Sequence, residues 1–99
     1  MSMIEYSMAA TPGGTSQKIA VSTTSAQSTA IGNLAPTAVI TPDITVFFRR
    51  GGNPTALSTG VDQILLANNT YRLYGLQAGD KLAFITASGS GNVYISPGV

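Results

Sequence analysis

Asp43-Ile44-Thr45-Val46-Phe47-Phe48-Arg49-Arg50, followed at once by Gly51-Gly52-Asn53-Pro54, is the stretch that decides the fold. Ile44, Val46 and Phe48 fall on one side of an extended chain, and Thr45, Phe47 and Arg49 on the other. A period of two, carried by β-branched and aromatic residues, is the pattern of a pleated strand. The Gly-Gly-Asn-Pro run then supplies the turn chemistry that stops it. Residues 43–50 therefore read as a central strand, and the alternation leaves at least one of Phe47 and Phe48 facing away from the core.

The same grammar recurs on both sides. Upstream, Lys18 to Ser22 places Ile19 and Val21 on one face, and Thr23 to Gly32 reads as a Ser/Thr-rich linker. Thr37 to Ile40 lies between Pro36 and Pro42, and proline's missing N–H predicts an edge strand or a bend there. Downstream, Gln63 to Leu66 is a short apolar run and Ala67-Asn68-Asn69 a turn. Thr70 to Tyr74 alternates, and Gln77-Ala78-Gly79-Asp80 is another turn. Leu82, Phe84 and Thr86 oppose Ala83, Ile85 and Ala87, and Gly89-Ser90-Gly91-Asn92 reads as a hairpin turn into Val93-Tyr94-Ile95. No segment carries a helical period with caps. Short strands spaced by Gly, Pro and Asn turns predict an all-β chain. The expected architecture is a compact antiparallel β-sandwich, jelly-roll-like or a small barrel, over residues 17–99.

Residues 1–16, MSMIEYSMAATPGGTS, fit neither period and contain Pro12-Gly13-Gly14. They read as an extended N-terminal arm, with an ordinary frayed terminus as the plainer alternative. Met1, Met3, Ile4, Tyr6 and Met8 make it apolar, and an adaptable Met-bearing segment suits docking on a neighbour's surface. Glu5 stands where a cationic leader would begin and the first basic residue is Lys18, so no signal peptide is expected. The longest apolar runs are far shorter than a bilayer span, so no membrane partner is expected and synthesis in a cytoplasm is.

Only 9% of the 99 residues are charged, and His, Cys and Trp are absent. An ordinary soluble domain devotes about a quarter of its residues to charge. General acid–base work has only Glu5, Asp43, Asp62 and Asp80 to draw on, all spaced singly, three of them beside turns where Asp is a good turn residue. No His exists to activate a serine, and metal ligation by His or Cys is excluded by inventory. The glycine-rich stretches lie between strands rather than before a helix, so they are turns and not phosphate loops. The expectation is a non-enzymatic protein with no catalytic residues, cofactor, metal or small-molecule substrate. A net charge of +1 likewise gives no pull toward nucleic acid. A near-neutral surface offers little self-repulsion and favours association.

Arg49-Arg50 is the single adjacent basic pair. It could meet a phosphate or a partner's carboxylate, but the plainer reading is a strand end holding its charge in water. Tyr71, Tyr74, Tyr94 and Phe47 could form a stacking platform for sugar or single strands, or an outward aromatic surface for protein contact.

From Asp43 onward the chain resembles a known class. A strand and Gly turn are followed by Ser58-Thr59-Gly60-Val61-Asp62-Gln63-Ile64-Leu65-Leu66-Ala67-Asn68-Asn69-Thr70-Tyr71. After Gly79-Asp80 come Leu82 to Ser88 and Gly89-Ser90-Gly91-Asn92-Val93-Tyr94-Ile95. This is similar to small virion-associated β-sandwich proteins of tailed bacteriophages, over roughly residues 43–96. The resemblance implies a capsid decoration (cement) or minor structural protein of the virion, with no catalytic residues. The expected partners are the major capsid protein or other virion proteins, with a homo-oligomer on the particle. Ile4, Tyr6 and Met8 of the arm, with Phe47, Arg49, Arg50 and Tyr74, are the candidate contact residues. The rival expectation is a receptor- or glycan-binding β module, or a head–tail component.

Overall fold

The computed structural model describes residues 16–30, 37–60 and 62–98. Of the expected arm only Ser16 is described, and Ile4, Tyr6 and Met8 lie outside the described residues. Among the described residues eight strands follow one another: β1 Gln17–Val21, β2 Ala26–Gln27, β3 Thr37–Pro42, β4 Val46–Gly51, β5 Gln63–Leu65, β6 Tyr71–Leu73, β7 Lys81–Ile85 and β8 Gly91–Gly98. They form two four-stranded sheets, β1-β8-β3-β6 and β2-β7-β4-β5, and every pairing is antiparallel.

The order has a simple logic. The first strand pairs with the last, the second with the seventh, the third with the sixth, and the fourth with the fifth. One long hairpin, with β4 and β5 at its tip, is thus rolled so that successive rungs alternate between two sheets. Contacts of β3 with β8 and of β4 with β7 close each sheet. This is the two-sheet, jelly-roll arrangement, and it selects a sandwich over a small barrel.

The alternation read from the sequence places the core. Val46 and Phe48 point inward from β4, Leu82 and Phe84 from β7, Val93 and Ile95 from β8, and Ala38 and Ile40 from β3, with Val21, Leu65 and Leu76 completing one cluster. Each fully buried large side chain contributes about 1.5–3 kcal/mol of burial free energy. Phe48 and Phe84, from adjacent strands, set their rings 6.4 Å apart at a 32° tilt.

Four local expectations are corrected. β3 is an interior strand, not an edge: it pairs with β8 on one side and β6 on the other. Pro42 is tolerated because it ends the strand, and its carbonyl still accepts the Asn68 N–H at 2.7 Å. The central strand begins at Val46 rather than Asp43. Asp43 instead turns the chain, its Oδ1 accepting the Asn92 N–H at 2.7 Å and its N–H donating to Asn92 O at 2.9 Å. Within the stretch expected as a linker, β2 forms, and Ser28 extends its pairing by donating its N–H to Leu82 O at 2.7 Å and accepting the Leu82 N–H on Oγ at 3.0 Å. Finally, Gly89 to Asn92 makes no hairpin, because β7 and β8 belong to different sheets. Gly89 adopts φ 79°, and its carbonyl accepts Thr86 Oγ1–H at 2.7 Å, so the turn carries the chain across the sandwich.

Candidate functional site

The outer face of the β2-β7-β4-β5 sheet is built from residues opposite in phase to the core. They are Phe47 and Arg49 on β4, Ala83 and Ile85 on β7, Ile64 on β5 and Gln27 on β2. Such a face would ordinarily be polar. Here Ala83 is fully buried, and Ala83, Ile85 and Ala56 form a second, smaller apolar cluster against which Phe47 packs.

The cover comes from the β4–β5 connection, which folds back as a flap. Gln27 Nε2 donates to Asn53 Oδ1 at 2.8 Å and to Pro54 O at 2.7 Å, while the Ala56 N–H donates to Ser25 Oγ at 2.9 Å. Asp62 fastens the far side. Its Oδ1 accepts from Arg49 Nε at 2.7 Å and its Oδ2 from the Leu57 N–H at 2.6 Å, with the carboxylate side chain only 5% exposed. A charge-assisted pair of that kind is stronger than a neutral hydrogen bond.

Arg50 is tied down elsewhere. Its Nη1 donates to Gly75 O at 2.7 Å and its Nε lies 3.7 Å from Asp80 Oδ2. Asp80 Oδ2 also accepts the Gln77 N–H at 2.8 Å. The side chains of Arg49 and Arg50 both remain partly in water, 41% and 42% exposed, and each guanidinium also lies beside an aspartate that helps fix a loop. The hollow of about 310 Å³ beside them, with Phe48, Gln63 and Leu73 among its walls, also contains Asp62, so a carboxylate already offsets its cationic character.

Beyond the flap the face stays open. A shallow depression of about 570 Å³ is lined by Asp43, Ile44, Thr45, Phe47, Ile64, Ala67, Ala87 and Ser88. Ile64 in its lining is 47% exposed; Leu66, the residue after β5, is 52% exposed and Leu57 on the flap 41%. Leu66 is held by its N–H donating to the Tyr71 hydroxyl at 2.8 Å. Neither the flap nor this strip was legible beforehand. The available signal was Gln63-Ile64-Leu65-Leu66, four residues with no charge among them.

Of the sequence candidates, Phe47 lies half-buried on this face and Tyr74 is 66% exposed in the segment after β6. The aromatics do not form one platform. Tyr71 packs against the main core, Phe47 sits on one sheet's outer face, and Tyr94, opposite Lys18 and Thr41, sits on the other's. Among the described residues no group of three or more His, Cys, Asp or Glu could hold a metal ion, and no helix is long and apolar enough to cross a membrane. The arrangement is suited to excluding water against another apolar surface.

The class defined by fold and surface is an all-β, two-sheet jelly-roll domain with an apolar strip on one outer face. Comparison with protein-family models, with curated proteins and with solved structures finds no match.

Proposed function

We propose that this chain is a non-enzymatic structural protein that acts by packing against other proteins. Within that role we assign it to the virion of a tailed bacteriophage as a capsid decoration or minor structural subunit. The observation that carries the assembly role is the open apolar strip of Phe47, Ile64 and Leu66 beside the flap. Exposed leucine and isoleucine set beside a groove favour a protein partner. The scarcity of charge supports the same role, since Arg49 and Arg50 meet Asp62 and Asp80 within the chain. The virion assignment rests on the resemblance of residues 43–96 to phage proteins. A jelly roll is compatible with it, as that fold recurs in viral capsids, although it also serves lectins and other binding proteins.

In this reading the subunit adds buried interface to a shell and stabilises the assembled state by mass action. The major capsid protein or a neighbouring virion protein is the partner. Quantitative mass spectrometry of purified particles from the phage encoding the chain tests the assignment. A fixed stoichiometry to the major capsid protein is expected, and particles lacking the chain would refute it.

A further inference from the structure

We infer that residues 1–15 dock on their own domain, across the outer face of the β1-β8-β3-β6 sheet and over Val39. This contact needs no partner protein and stands apart from the assembly role. Ala38 and Ile40 of β3 point into the main core. Thr37 and Val39 point the opposite way, yet each is only 8% exposed, and Val39 belongs to neither apolar cluster. Farther along the same face Lys18, Ala20 and Tyr94 are exposed. The Thr37 hydroxyl is buried without a hydrogen-bond partner among the described residues. An outward valine and an orphaned hydroxyl, both buried, mark a place where another segment lies.

The chain enters the sheet beside that place. Ser16 Oγ lies 3.1 Å from Ser96 Oγ. Ser96 is the register partner of Val39, which is in turn the partner of Arg72 on β6. Ser16, Ser96, Val39 and Arg72 thus form one rung across the outer face, its ends three strand spacings, or about 14 Å, apart. The residues upstream of Ser16 can span about 50 Å when extended, so they cross the rung with length to spare. Pro12-Gly13-Gly14 supplies turn chemistry for folding back at the sheet's edge. Composition matches as well. Among the described residues the charged side chains of this face are Lys18 and Arg72, both cationic, whereas Glu5 is the one charged side chain among residues 1–15. Met3, Ile4, Tyr6 and Met8 offer adaptable apolar surface to Val39, and backbone groups of the segment can meet the Thr37 hydroxyl. A tether this short gives an effective concentration of about a millimolar, which favours the chain's own segment over a neighbour's.

The chain contains no cysteine, so a nitroxide attached through Ser7→Cys in the full chain reports from one position. Its paramagnetic broadening should be stronger at the Val39 and Arg72 amides than at Lys18, although Lys18 lies nearer the tether at Ser16. Glu5→Arg should reduce the broadening at Val39 severalfold, and adding Arg72→Glu should restore it. Mixing spin-labelled chain with unlabelled, isotope-enriched chain separates the two sources of a docked segment, and the enriched chain should show no broadening. Broadening that declines steadily from Lys18 toward β6, as an undocked segment would give, overturns the inference. So does an effect at Val39 that Glu5→Arg leaves undiminished, or broadening in the mixed sample, which would put a neighbour's segment on the face. None of these results bears on the open face of the other sheet, so the assembly role is tested separately.

Discussion

Replacing Asp62 with Asn keeps the side chain's shape but disrupts both of its contacts. The carboxylate accepts two hydrogen bonds through different oxygens, from Arg49 Nε and from the Leu57 N–H. An amide can turn its oxygen to only one of these donors and must present its NH2 to the other. A hydrogen bond to a charged group is worth about 1.5–3 kcal/mol. Arg49 is 41% exposed and can recover water, which lowers its share toward the value of a surface pair. Together these terms put the cost at about 2 kcal/mol, and a chain of this size should then melt roughly 8–16 °C lower. The effect should be local as well as global. Hydrogen exchange followed residue by residue should show faster exchange at Leu57 and Ala56, with the β3 and β8 amides keeping their order of protection. A melting temperature within about 1 °C of wild type, with Leu57 exchange unaltered, would refute Asp62 as the fastener of the flap.

Three further substitutions probe other links. Ser28→Ala removes the acceptor of the Leu82 N–H at a buried position; the orphaned donor should cost about 1–3 kcal/mol, read as a lower urea midpoint with unchanged m. Gly91→Ala has no room for its methyl group, because Asp43 Oδ1 and the Ile44 side chain occupy the space. The displacement should break the Asp43–Asn92 bond and cost about 1–3 kcal/mol, and a midpoint equal to wild type would contradict the crowding. Phe84→Ala empties the centre of the core and should cost about 3–5 kcal/mol, a large part of the ~5–15 kcal/mol stabilising an ordinary domain; its thermal unfolding should fall accordingly.

The parts of the fold legible in the sequence are those with a strict period of two. Val46 and Phe48, Leu82 and Phe84, and Val93 and Ile95 declared their inward faces because each strand is long enough to repeat. β2 did not, since two residues cannot show a period and its last rung is supplied by the Ser28 side chain. The Gly89 to Asn92 turn misled because Gly-rich turns read alike locally whether the chain returns to the same sheet or crosses to the other. The prolines flanking β3 misled for a related reason: a proline at a strand's last position offers an acceptor and is compatible with an interior strand. At the site, the exposed apolar residues could be named but not assembled. Gln27 reaches Asn53, Ala56 reaches Ser25, and Arg49 reaches Asp62 only after the chain has folded.

The claim that this protein acts through the open face of the β2-β7-β4-β5 sheet is tested most directly by hydroxyl-radical footprinting. The chain would be compared free at high dilution and within purified particles. Oxidation of Leu57, Ile64 and Leu66 should fall severalfold on assembly while buried Phe84 stays unreactive in both states. Equal oxidation of those three residues in both states would contradict the account.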